Sequence, residues 1–414
     1  MDAENQLRDF SEFDPRLALA NYQFPRLDLL TPFFSRPVNA EKLEKDKGII
    51  VDILEFNGVL IERIKATVGP TLTLFEIIPA PGVRMSKILA LEADLALYLA
   101  AKVRVTGPLA RKGTIGIEMF HPVPDKVRIR SLLASDIFKD APMALPVAMG
   151  KTMNNDILIV DLAYLPPLLI AGEGKSVFLR SLLLSLLYKK HPAEMKLVLI
   201  DTSGIELTLF HRIERHFLAK LPEEAQAIVT DRDKALRTLN ALCLELDARC
   251  DLLKDADVWH ISDYNEKFVR RGWSPAGGYR YLPLIVVVID EFAGLLTAEI
   301  QISRLAQSGR SAGIHLVIAT QCPSAKVITS AIKASFITRL AFRVASEADS
   351  RTILDNRGAE LLHGNGDMLL SIGPHLNHLQ GALVTPEEIK NVCAFIGAQT
   401  GYADAWLLPG AAAY

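Results

Sequence analysis

Leu284-Ile285-Val286-Val287-Val288-Ile289 is an unbroken apolar run rich in β-branched residues, and it ends in Asp290-Glu291. A strand of this kind offers no polar face to water, so it must be covered on both sides. Leu168–Ala171, Lys196–Ile200 (ending at Asp201), Leu316–Ala319 and Ile337–Phe342 read as further strands. Helical patterns lie among them, from about Ser176 to Lys190 and over Arg232–Leu253. Apolar strands alternating with helices specify an α/β fold with a mostly parallel sheet buried between helical layers.

The chain before this region has a different texture. Its first 39 residues carry scattered prolines and aromatics and read as an extended arm. From 40 to 142 the pattern is that of a small α/β domain. Glu41–Phe56 is helical with Ile49, Ile50, Ile53 and Leu54 on one side, and Leu72–Ile78 is a strand ended by Pro79-Ala80-Pro81-Gly82. Ile88–Leu99 reads as one helix, and Val103–Thr106 and Gly113–Met119 as strands. Residues 143–385 then form the large domain, and 386–414 a C-terminal helix and tail.

Length and composition fit this division. The 414 residues are 50% hydrophobic and 23% charged, with a net charge of −2. Such a chain buries sizeable cores and is neither disordered nor a disulfide-stapled scaffold. Near-neutral charge excludes a uniformly basic nucleic-acid coat, but not a basic channel in an acidic body. Four cysteines without a CxxC pair suit a reducing cytosol rather than a zinc site. No apolar run approaches the 18 residues of a spanning helix, and the N-terminus lacks the layout of a signal peptide. The expected location is cytoplasmic.

Chemistry concentrates in two places. Gly172-Glu173-Gly174-Lys175-Ser176 lies where a strand enters a helix, the context of a phosphate-binding loop. There Gly172, Gly174, Lys175, Ser176 and Val177 are the candidate nucleotide contacts. Lys175 is placed to reach the β- and γ-phosphates of ATP, and Ser176 to hold Mg²⁺ at the positive end of the helix. The second place is Asp290-Glu291, about 115 residues downstream. In P-loop enzymes the first acid assists Mg²⁺ and the second positions the attacking water. A lone Gly-Lys-Ser is no more than a helix start; with a buried strand ending in two acids it points to a nucleotide fold.

Several strings carry a resemblance to a known family. "ATVGPTLTLFEIIPAPGVRMSKI" and "GTIGIE" lie in the small domain. "LVLIDTSGIELTLF", "VVVIDEFAGLL", "RLAQSGRSAGIHLVIATQ", "IKASFITRLAFRVASEADSRTILD" and "GAELLHGNGDML" lie in the large one. The chain is similar to the motor region of the FtsK/SpoIIIE family of hexameric double-stranded DNA translocases, over nearly its whole length. The resemblance implies a RecA-like ATPase domain at 143–385, stacked rings around DNA, and ATP bound between neighbouring subunits. It makes Thr320 and Gln321 sensors of the γ-phosphate, and Arg304 and Arg310 candidates to face a neighbour's nucleotide from one helix. It places Ser324–Thr338, with Lys326, Thr329 and Lys333, along the pore, where phosphate contacts grip DNA without reading its sequence. Relatives in this family are anchored in the inner membrane by a region not represented here.

The chain departs from the family pattern around one pocket. A phosphate loop reads GxxxxGK[ST], and this one is three residues short, roughly 10 Å of extended chain at about 3.3–3.6 Å per residue. That removes much of the wrap around a β-phosphate. Glu173 adds a negative charge, a repulsion of up to about 4 kcal/mol at ~4 Å and an effective dielectric near 20. Asp201-Thr202-Ser203 stands where the family has Asp-Pro-Lys, Cys322 replaces an arginine, and the stretch from Leu296 to Arg304 is several residues shorter. Weakened ATP binding is expected.

Three functions remain in play: an ATP-driven DNA motor in chromosome segregation and cell division, a non-hydrolysing ring subunit that still binds DNA, and a ring ATPase that pumps protein. Other conspicuous residues have plainer readings. His211 and His216, five apart, are expected on the surface, and Cys243 and Cys250, seven apart on a helix, in the core. Trp259, Trp273 and Trp406 lack the interleaved basic residues of a base-stacking site.

Overall fold

A computed structural model describes residues 13–33, 39–109, 114–122, 126–270 and 277–410. Two sheets organise them. The smaller has four antiparallel strands, β1 (Ile61–Val68), β2 (Leu72–Pro79), β3 (Val103–Leu109) and β4 (Thr114–Phe120), in the order β1-β2-β4-β3. The helix Ala40–Phe56, capped by the Asn39 side chain, lays Ile50, Ile53 and Leu54 on one face of it. Phe75, Ile77, Ile117 and Leu95 complete this core. The run 88–99 is two short helices rather than one, Met85–Leu89 and Glu92–Tyr98, broken at Ala90-Leu91.

The opposite face of β2 is buried too, which explains why Leu72–Ile77 shows no polar alternation. Leu72, Leu74 and Phe120 pack against Met153 at the start of the large sheet, and the His363 ring stacks on Phe120 at 4.5 Å.

The large sheet holds nine strands. They are β5 (Pro146–Thr152), β6 (Ile157–Asp161), β7 (Leu168–Ala171), β8 (Met195–Asp201), β10 (Leu284–Asp290), β11 (Ile314–Thr320), β12 (Thr338–Ala341), β13 (Asp367–Ile372) and β14 (His375–Gln380); β9 (Ala219–Lys220) pairs instead with β15 (Trp406–Leu407). Their order is β6-β5-β14-β13-β12-β7-β11-β10-β8. β12, β7, β11, β10 and β8 are mutually parallel, as the apolar runs predict. The other four join antiparallel, so the sheet is mixed: a parallel core with an antiparallel extension.

Side-chain alternation along the core strands assigns the two covers. Leu168 and Ile170 join the layer that contains the helix Lys175–Leu187, while Leu169 and Ala171 join that of the helix Arg232–Asp255. Each Val, Leu or Ile removed from water here contributes about 1.5–3 kcal/mol, which is why these strands are written mostly in apolar residues, Lys196 of β8 and His315 of β11 being buried exceptions. Among the described residues no helix is long and apolar enough to cross a membrane.

The described part of the N-terminal arm is not merely extended. It forms short 3-10 turns at Pro15–Leu19 and Leu27–Leu29 and straps the large domain. Arg16 pairs with Glu194 at 2.7 Å, and Gln23 and Gln399 exchange backbone and side-chain hydrogen bonds. His216 is buried against the Tyr22 ring under this strap, not on the surface as its spacing suggests. Cys243 is buried as expected, whereas Cys250 is exposed, on an open flank of its helix.

Candidate nucleotide site

Parallel register brings the chemistry together. Ala171 lies opposite Thr320, and Asp290 opposite Asp201, so the loop after β7 and the ends of β11, β10 and β8 share one edge. Ligands of open α/β sheets bind in the crevice outside such carboxyl ends.

One wall of the crevice is built from acids. Asp290 is 1% exposed and accepts a short ion-pair hydrogen bond from the buried Lys175 ammonium. Burial raises its carboxyl above the ordinary range; Lys175 opposes that, and Asp201 and Glu291 reinforce it. Glu291 stands 3.6 Å from Lys175 Nζ and is clasped from β11, where Thr320 Oγ1 donates to Oε1 at 2.7 Å and the Gln321 N–H to Oε2 at 2.9 Å. Its backbone is left-handed, with φ 58°, an uncommon state for a non-glycine residue of the kind that persists where the surroundings enforce it. Thr320 and Gln321 thus position Glu291 in this structure.

Asp201, beside Asp290, is fully buried and accepts from Ser203 N and Oγ, Gly204 N, Glu206 N and Leu207 N at 2.6–3.1 Å. The altered Asp201-Thr202-Ser203 is therefore an anchor for the turn after β8.

The facing wall is the shortened loop, which leans on the neighbouring strand. The Gly172 N–H donates to the Thr320 carbonyl at 3.2 Å and the Glu173 N–H to the Arg343 carbonyl at 2.9 Å. Gly172 and Gly174 have φ 98° and 119°, and a Cβ on Gly172 would come within 2.7 Å of the Arg343 carbonyl. Both positions thus require glycine. Glu173 does not aim an isolated charge at the crevice, because Arg343 Nη2 and Nε grip its Oε2 at 2.7 and 3.0 Å. Arg343, which sequence reasoning passed over, follows β12, the neighbour of β7.

Gly174 caps the helix Lys175–Leu187 without a side-chain hydrogen bond, leaving the first-turn N–H groups of Lys175, Ser176 and Val177 as donors. The donor set fits a magnesium-bound phosphate chain at this terminus: three N–H groups, the Lys175 ammonium, the Ser176 hydroxyl and the Asp290 carboxylate. It does not fit a full wrap by the loop, whose Gly172 and Glu173 N–H groups are engaged.

The arginine candidates lie elsewhere. Arg304 is on the helix Glu299–Ser308 and pairs with Asp247 at 2.5 Å. Arg310 is not on that helix; it sits in the turn before β11, exposed, donating to the Tyr164 carbonyl at 3.1 Å. It thus lies about a strand length, ~20 Å, from the end that carries Thr320. The shortened stretch before Arg304 is a kinked 3-10 turn, Phe292–Ala298, that runs directly into the helix. Cys322 is exposed.

Of the three candidate DNA contacts, Lys326 is exposed and without an ion pair among the described residues. Thr329 caps the helix Ser330–Ser335 and hydrogen-bonds Glu299, and Lys333 pairs with Asp355 at 2.5 Å.

A phosphate loop at the end of β7, an acid pair at the end of β10 and a doubly covered parallel core define the chain as a P-loop ATPase fold. Similarity places it more narrowly. The FtsK/SpoIIIE family profile matches residues 128–325 and the FtsK alpha domain profile residues 24–121. DNA translocase FtsK of Chlorobaculum tepidum is 40% identical over 408 residues, 94% of this chain and 49% of that protein. DNA translocase FtsK of Caldanaerobacter subterraneus subsp. tengcongensis is 40% identical over 388 residues, 91% of this chain and 52% of that protein. This chain belongs to the FtsK/SpoIIIE family, and spans about half the length of these relatives.

Two solved structures share the fold. The pCW3 conjugation coupling protein TcpA, a monomer form with ATPγS, gives a TM-score of 0.56 at 23% identity, over 83% of this chain and 98% of that one. The cytoplasmic domain of the Thermomonospora curvata type VII secretion ATPase EccC gives 0.56 at 23%, over 69% and 36%.

Proposed function

We propose that this chain is the motor portion of an ATP-driven double-stranded DNA translocase that works as a ring, most simply a hexamer, on the cytoplasmic side. The observation that carries the proposal is the convergence of Lys175, Asp290 and Glu291 at one strand edge, in a chain 40% identical to DNA translocases.

In this reading magnesium-bound ATP supplies the phosphoanhydride whose cleavage drives movement. Lys175 and the first-turn N–H groups hold its phosphates, and Ser176 and Asp290 hold the ion. Lys175 exchanges Asp290 for phosphate when nucleotide binds. Glu291, fixed by Thr320 and Gln321, orients a water and takes up its proton. Arg310, exposed at the opposite edge, and Arg304, in an exposed pair with Asp247 that solvent screens, are the two arginines offered to a neighbouring copy. Lys326 leads the DNA contacts, with Thr329 and Lys333 on the same segment. Residues 40–142 and 143–385 are the two stacked units.

A second reading has a specific observation behind it. The Gly172 and Glu173 N–H groups of the loop are tied to Thr320 and Arg343, which favours weak nucleotide binding and a ring subunit that turns over slowly. Steady-state ATP hydrolysis with and without linear duplex DNA, beside Lys175→Ala, separates the two. DNA-stimulated turnover lost in Lys175→Ala supports the motor. Turnover that is negligible, unstimulated and equal in the variant, with DNA binding retained, supports the slow subunit.

A further inference from the structure

The crevice carries more acid than base. Glu173, Asp290 and Glu291 face Lys175 and Arg343, and the fully buried Asp201 stands behind them. Lys175 is held by Asp290, and Arg343 by Glu173, so both cations that a phosphate chain needs already have carboxylate partners. The two pairs differ in character. Lys175 and Asp290 are 9% and 1% exposed at their side chains, a closed interior contact. Arg343 and Glu173 are 47% and 59% exposed, and two nitrogens of the guanidinium, Nε and Nη2, grip a single carboxylate oxygen. Solvent screens this outer pair and lets it part easily.

Its backbone partners do not part with it. The Glu173 N–H is bonded to the Arg343 carbonyl, and Gly172 and Gly174 lie against Phe342-Arg343 too closely for any side chain. The Arg343 side chain is therefore tethered beside the loop while its guanidinium is free to change partner. Arginine's planar fork suits carboxylate and phosphate equally.

We propose that Glu173 and Arg343 form a latch on the shortened loop: the guanidinium holds the Glu173 carboxylate until a nucleotide's phosphates displace it, and Arg343 then becomes a phosphate ligand that stands in for the missing loop. This rests on the nucleotide reading of the crevice and adds to it a positioning pair, Glu173 as internal competitor and Arg343 as the residue it restrains. Arg343 acts within its own chain, unlike an arginine supplied by a neighbour.

Binding of fluorescent ATP with Mg²⁺ to the full chain, followed for wild type, Glu173→Gln, Arg343→Ala, the double variant and Lys175→Ala, tests the latch. Glu173→Gln keeps the side-chain shape and removes the charge, so Kd falls about tenfold, as for loss of one screened like charge. Arg343→Ala raises Kd by a similar factor, and in its background Glu173→Gln recovers only part of the gain. Melting curves confirm that each variant is folded. Unchanged or weaker ATP binding in Glu173→Gln, with Lys175→Ala still abolishing binding, overturns the latch and leaves the nucleotide site standing. No binding in wild type or in Glu173→Gln overturns the nucleotide reading, and the latch with it.

Discussion

The two walls of the crevice have fared differently. The acid wall is complete, with Asp290 on Lys175, Glu291 clasped by Thr320 and Gln321, and Asp201 satisfied by five donors. The loop wall is three residues short of the common pattern and leans on Phe342-Arg343. The acids are placed by strand register, a property of the whole sheet that cannot shift without exposing an apolar face. The loop is placed only by its own length and its neighbours. A local deletion can therefore alter phosphate contacts while the geometry of the acids stays intact.

The largest effect on this comparison comes from the residue that joins the walls. Lys175→Met leaves Asp290 buried without its cation and is expected to cost about 3–5 kcal/mol of stability, read by urea denaturation, together with ATP binding. The loss depends on pH. The folded Asp290 pKa lies above its unfolded value, so its stability contribution is fully present below the unfolded value and is lost as pH rises through the folded one. Without Lys175 the folded pKa rises further, and the variant recovers most at acidic pH.

Glu291→Gln should keep ATP binding and lower kcat about 10²–10⁴-fold, the range for loss of a general base. A matching rise in Kd would mean that this wall binds rather than reacts. Thr320→Val removes one hydrogen bond to Glu291, and a loss of about 1 kcal/mol, some fivefold in kcat with KM unchanged, is expected. Lys326→Ala is the mildest: DNA affinity falls slightly, and the slope of log affinity against log salt drops by about 1.

What the sequence revealed follows the same division. Leu168–Ala171 and Leu284–Asp290 were legible because strands covered on both faces are written predominantly in apolar residues. β14 is partly exposed and carries no apolar run, and the run of β6, residues 157–160, has no helix pattern after it to suggest a parallel strand, so the antiparallel extension of the sheet was missed. The break at Ala90-Leu91 has neither proline nor glycine to mark it. Lys175, Ser176, Asp290 and Glu291 stood out by residue type and context. Arg343 did not, because its importance arises from β12 lying beside β7, 170 residues after Glu173. Thr329 and Lys333 were pore candidates through the family resemblance alone, and in the structure a helix cap and Asp355 engage them.

If the acid wall is intact and only the phosphate grip is reduced, lengthening the loop should act on nucleotide binding alone. Inserting three residues after Gly172, to restore GxxxxGK[ST], tests it by steady-state ATPase kinetics in saturating duplex DNA. KM for ATP is then expected to fall about tenfold while kcat stays within about a factor of two. An unchanged KM, or a kcat that rises by orders of magnitude, would contradict it.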